Sequence, residues 1–271
     1  MLIDWKNRIS WEGLITSALS KNIGNDYAQI IRDNAENIQY RDDDEGTCNL
    51  FAGKRSRSDI IDSVSKELKK FVTNIQAYHA CRTENVETYY KNGLLPLNPE
   101  NIQDLFHKIF CEPEGLFSLE EIKCAISVVS IKTRENVTHV ALDDRFLIRR
   151  CGHYLIYGSE YLNCLSVHLP RGGEHTRDIL KNFGNATIFS CQVPFSWIET
   201  DELFELASCM IAEHAYSLAH NKTDVSNLDF AITVQGKIPP ERICSHYHPE
   251  QIRDPYKQCR IWNDKKQSYE T

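Results

Sequence analysis

The sequence predicts an α+β fold preceded by a helical N-terminal region. Three observations carry that reading. Apolar residues recur at helical spacing through the first 75 positions. Short β-branched runs with strand character then begin near residue 76 and alternate with amphipathic segments. A run of 271 residues, 41% of them hydrophobic, is long enough to build a sizeable core.

In the first region, Leu2, Ile3, Trp5, Ile9, Trp11, Leu14 and Ile15 leave helical-period positions. DYAQIIRDNAENI (26–38) predicts a second helix. RDDDEGTCNLFAGKRSRS (41–58) passes from acidic to basic with two glycines and little periodicity, and reads as a linker. Ser58 is the expected N-cap of a helix whose stripe is Ile60, Ile61, Val64, Leu68, Phe71 and Val72.

From residue 76 the pattern changes. A strand is expected over 76–81, then a helix over 84–92 stopped by Gly93. Residues 99–110 form a helix with proline in its first turn. In 118–130, Ser118 and Glu121 give the capping-box spacing of a helix start. Residues 137–144 read as a strand, 153–169 as a strand entering a helix at Ser159, 175–183 as a short helix, and 186–194 as a strand. Residues 200–220 are the longest amphipathic helix, with Thr200 as its expected cap. LDFAITVQGKIPPERI (228–243) is a β-branched strand followed by glycine and a Pro-Pro turn. Beyond Cys244 the chain is polar and irregular. The expected division is therefore 1–75, 76–243 and a tail over 244–271.

Net charge is −7, which argues against broad coating of a phosphate backbone. Ten cysteines without a CxxC pair suit reduced thiols. With no apolar leader and no run of 18 apolar residues, the expected location is cytoplasmic, with no membrane partner. Dinucleotide-fingerprint, P-loop, nucleophile-elbow and HExxH motifs are all lacking. Cys244, His246, His248 and Cys259 are metal-ligand types, but their spacing matches no common zinc site, so no metal is expected.

His79 in YHACRT, followed by a helix and GLLP, stands out as a histidine on a strand. Tyr157 in HYLIYGSEYL and Asp229 in LDFAITV follow in order, and VQGKIPPERI closes the run. With these motifs, residues 76–243 resemble the ADP-ribosyltransferase fold of the diphtheria-toxin and poly(ADP-ribose)-polymerase branch. The resemblance implies a compact split sheet with NAD as co-substrate. It implies that His79, Tyr157 and Asp229 are the catalytic residues, with His79 on the adenosine ribose, Tyr157 stacked on the nicotinamide and Asp229 supporting the oxocarbenium-like charge. Arg82, Ser159 and Tyr161 are further expected cofactor contacts, Arg82 at the pyrophosphate. The family places Glu where this chain has Asp229, one methylene shorter, with Glu241 and Glu213 as substitutes. The resemblance implies a bacterial intracellular toxin of phage defence or of a toxin–antitoxin system. Its acceptor would be nucleic acid, or else protein, and an antitoxin or chaperone its partner. Three alternatives stand beside it: a non-catalytic nucleotide- or partner-binding module, an RNA 2′-phosphotransferase, and a zinc enzyme built on the C-terminal Cys/His residues.

Overall fold

The computed structural model describes residues 1–42, 44–111, 116–129, 136–170 and 174–270. Residue 43 of the expected linker, residue 130 at the end of an expected helix and residue 271 of the tail lie outside them.

The chain opens with a short strand, β1 (Leu2–Ile3), followed by helices α1 (Glu12–Ile23), α2 (Tyr27–Asp33), α3 (Asp44–Asn49) and α4 (Arg57–Phe71). Strand β2 (Asn74–Thr83) leads to α5 (Glu87–Asn92), α6 (Pro99–Phe110) and α7 (Leu119–Val128). Next come β3 (Val137–Ala141), α8 (Asp144–Arg149), α9 (His153–Ile156), α10 (Glu160–Val167), α11 (Glu174–Ile179) and β4 (Asn185–Pro194). The 21-residue helix α12 (Thr200–His220) precedes β5 (Ala231–Gln235). The last strands are β6 (Ile243–Tyr247), β7 (Gln251–Arg253), β8 (Ile261–Asn263) and β9 (Ser268–Tyr269). Of the described residues, 50% are helical and 19% are strand. Because β2–β3 and β4–β6 pair antiparallel, the molecule is α+β.

Two compact units divide the chain, residues 1–76 with 193–232 and residues 77–192 with 233–271. In the first, α12 packs against α1, α2, α3 and α4. Ile60, Ile61, Val64 and Leu68 form the buried stripe of α4, and Leu203, Leu206, Met210 and Ile211 that of α12. Trp5 and Trp11 stack with ring centroids 5.5 Å apart. Strand β1 runs parallel to the opening of β2, with Leu2 opposite Asn74 and Ile3 opposite Ile75.

The second unit holds the strand order β5-β3-β2-β4-β6 and a separate β7-β8-β9 meander. One sheet face presents Tyr78, Ala141 and Ile188 to a core filled by Phe106, Phe110, Ile122, Leu155, Ile156 and Leu165. Ile252 and Trp262 of the meander join that core.

Several elements differ from the sequence reading. Residues 41–58 are no linker: α3 forms there, burying Thr47 and Cys48, and Phe51 is buried beside it. The cap of α4 is Ser56, whose Oγ accepts from the Asp59 amide at 3.2 Å, not Ser58. Helix α12 is capped by Glu199 in a box with Glu202, not by Thr200. Residues 153–156 are helical, not a strand. The Ile156 amide donates to the Gly152 carbonyl and the Tyr157 amide to the His153 carbonyl, each at 2.9 Å, the i to i−4 pattern of a helical turn, and Gly158 at φ +81° ends it. The segment beyond Cys244 is not irregular. Its apolar residues are few, but Asp254, Asn263 and Asp264 are buried, so its polarity serves internal partners. The box of Ser118 and Glu121, the proline-started α6 and the stop at Gly93 stand as read. Among the described residues no helix is long and apolar enough to cross a membrane.

Candidate functional site

Alternation along β2 sends Tyr78, Ala80 and Arg82 to the apolar core face and His79, Cys81 and Thr83 to the other. The half-buried His79 faces the His139 carbonyl with Nδ1 at 3.0 Å. A carbonyl only accepts, so Nδ1 carries the proton and Nε2 keeps its lone pair. Burial pushes this imidazole below the usual histidine range, which leaves it neutral at pH 7. On β3, His139 in turn meets Thr233 of β5, Nδ1 to Oγ1 at 3.4 Å.

Farther along the same face of β2, burial pushes the Cys81 thiol up to about 12. Its hydrogen-bond partner is Tyr89 of α5, whose phenol burial also raises. Tyr89 stacks on Phe189 of β4 with centroids 4.5 Å apart. Phe189 is the cross-strand partner of His246 on β6, and Tyr90 Oη lies 2.8 Å from His246 Nδ1. Helix α5 thus links β2, β4 and β6 on the face that carries His79.

The segments after α5 and β5 also meet. Leu94 and Ile238 exchange two backbone hydrogen bonds of 2.9 Å. Gly93 makes this approach possible. Its φ is +85°, and a Cβ there would sit 2.2 Å from the Ile238 carbonyl oxygen. GLLP and KIPP, distant in sequence, are neighbours in the fold.

The other expected residues are placed differently. Arg82 is 6% exposed and all five of its N–H donors are used. Nε donates to the Phe183 carbonyl at 2.7 Å. Nη1 donates to the Leu155 carbonyl and to Asp264 Oδ1, each at 2.8 Å. Nη2 donates to the carbonyls of Lys181 at 2.8 Å and Gly184 at 2.7 Å. The pyrophosphate contact expected of Arg82 therefore has no donor left to make it. This arginine is a structural clamp.

Tyr157 is 1% exposed, at the end of α9. Its hydroxyl donates to Asp254, which also accepts from Tyr269 Oη at 2.5 Å and from the Tyr256 amide at 2.9 Å. Burial, then the bond to Asp254, pushes the Tyr157 phenol well above its ordinary range. Lys181 Nζ stands 5.3 Å from the Tyr157 ring centroid, 4.7 Å from Trp262 and 4.6 Å from Tyr269. The nicotinamide-stacking role expected of Tyr157 falls on a ring already packed in the core. Ser159 caps α10, its Oγ accepting from the Leu162 amide at 3.2 Å. Tyr161 is 1% exposed and belongs to the same core as Tyr157.

Asp229 belongs to the first unit. It is exposed between buried Leu228 and Phe230, on the outward side of the extended residues that enter β5. Glu213 lies inside α12 at 0% exposure, paired with Arg41 at 3.1 Å and accepting from the Ser226 hydroxyl at 2.5 Å. Burial raises its carboxyl above the usual range, and its partners bind it within the first unit. Glu241 is exposed in a 3-10 turn after Pro240.

Sequence reasoning missed the Tyr90–His246 pair and the acids Asp254 and Asp264. The pair joins a helix and a strand more than 150 residues apart, |i−j| being 156. The two acids looked like ordinary tail charges, and only Trp262 nearby hinted at burial. Among the described residues no three His, Cys, Asp or Glu groups converge on a metal site. No family model matches the chain, and neither the curated proteins nor the solved structures hold one similar to it.

Proposed function

We propose that the chain is an NAD-dependent ADP-ribosyltransferase in which His79 receives the adenosine ribose of NAD. The observation that carries this reading is the state of His79. Its Nδ1–H is committed to the His139 carbonyl, and its imidazole is held neutral. The Nε2 lone pair is the acceptor that a ribose hydroxyl requires. Contact between GLLP and KIPP lends support, since these segments follow the first and last motifs of the resemblance. In the reaction the bond from the nicotinamide nitrogen to ribose C1′ breaks and nicotinamide leaves. The acceptor's nucleophile bonds to C1′ and loses its proton to water. A nucleic-acid base is the favoured acceptor, in a toxin of phage defence or of a toxin–antitoxin system held by an antitoxin partner.

Incubation with labelled NAD and separated protein, DNA and RNA fractions tests both reaction and acceptor. Label in one fraction and free nicotinamide are expected, both lost in His79→Ala. No nicotinamide release with any fraction would sink the transferase reading.

A second reading is a nucleotide-binding module without catalysis. It is favoured by Asp229, one methylene shorter than the Glu of the resemblance. It predicts stabilisation by NAD without nicotinamide release.

A further inference from the structure

We propose that His246 and His248 form a binding site for a borderline first-row divalent cation, of the zinc and nickel class. His246 lies on β6 and His248 one residue beyond its end, and both rings turn toward β4, His246 beside Phe189 and His248 at the Ala186 carbonyl. Their ring centroids are 5.4 Å apart.

Each ring is already oriented through Nδ1. His248 Nδ1 faces the Ala186 carbonyl at 2.9 Å, and that oxygen can only accept, so Nδ1 carries the proton. Nε2 of His248 is then a lone pair. His246 Nδ1 lies 2.8 Å from Tyr90 Oη, which either donates or accepts; metal binding selects the tautomer in which Nδ1–H donates to the phenol oxygen and Nε2 is the lone pair. Histidines that ligate metals through one nitrogen donate the other N–H to an oxygen partner in this way, and the partner fixes the ring and its tautomer. Here both rings have such a partner before any metal arrives.

Access is open as well. His246 is half-buried and His248 exposed. Phe189 lies beside His246 at a centroid distance of 5.9 Å and gives the site one apolar wall. Imidazole ligands favour zinc, nickel and copper over calcium or magnesium. No third protein group converges among the described residues, so water or a bound molecule would complete the shell. Cys244 is also exposed on β6, two residues before His246, and its thiol is the competing ligand a test must separate.

Nickel titration of the full chain, after chelator treatment, followed by equilibrium dialysis, tests the site. One Ni2+ per chain is expected to depend on these rings. His246→Ala and His248→Ala should each weaken binding roughly tenfold or more, while Cys244→Ser leaves it unchanged. Melting of each variant in metal-free buffer checks that the fold is intact. Three results would overturn the site: no nickel bound by the parent chain, parental binding by either histidine variant, or loss of binding only in Cys244→Ser.

Discussion

The two faces of β2 carry residues of similar chemical promise and use them in opposite ways. Arg82 looks outward from a strand end in the sequence, yet all its donors end on protein acceptors and its charge meets Asp264. His79, three residues earlier on the opposite face, spends one nitrogen on a backbone carbonyl and keeps the other. Residue type does not separate the two, but the number of partners does. A side chain whose every polar group is satisfied internally is part of the scaffold, and one left with a single oriented lone pair can act on a ligand.

The largest expected effect lies on the saturated face. Arg82→Ala leaves four carbonyls and the buried Asp264 without their donor, and should cost about 3–5 kcal/mol. Urea unfolding reads it as a fall in the midpoint. A near-parental midpoint would mean that the clamp is not what holds this face.

Tyr157→Phe comes next. It removes one donor from Asp254 and leaves the ring, so a loss of about 1–3 kcal/mol is expected. If Tyr157 stacks on nicotinamide, Phe keeps that stacking, and NAD stabilisation should survive the weaker fold. Tyr157→Ala would remove both.

The third effect is a pH dependence. Burial holds His79, His153 and His214 below the usual histidine range, so the fold favours their neutral forms. Unfolded, each titrates near about 6.5 and takes a proton that the folded chain refuses. Their contribution is complete above that value and declines as pH falls through it. Unfolding midpoints measured from about pH 7.5 down to 5.5 should fall, and His214→Gln should flatten the slope. A midpoint that rises on acidification would contradict the sign.

The smallest effect on stability should come from the open face. His79→Ala removes one hydrogen bond to a carbonyl and should cost about 1 kcal/mol. In a thermal melt it should nonetheless abolish stabilisation by NAD. If the variant unfolds like Arg82→Ala, His79 is scaffold too and the contrast between the faces collapses.

What the sequence made legible follows from range. Local signals held: Ser118 with Glu121, Pro99 in a first turn and Gly93 at a helix end act within a few residues. Signals that needed a distant partner failed. Helix α3 looked like linker because its buried residues, Thr47 and Cys48, are small or polar and give no stripe. Residues 153–157 read as a strand because Tyr, Leu and Ile carry strand propensity, and tertiary burial overrode it. For the site, His79 and its strand were legible. The fates of Arg82 and Tyr157 were not, because Asp264 and Asp254 lie 182 and 97 residues farther on.

That separation sets a clock on synthesis. Arg82 leaves the ribosome 182 residues before Asp264. At about 5–20 residues per second, roughly 10–40 s pass before its carboxylate exists. Until then the core around Leu155 and Ile156 must either admit an unmatched cation or stay open. The second unit is therefore finished after translation of its meander, and a nascent chain stalled before β8 should be the protease-sensitive form.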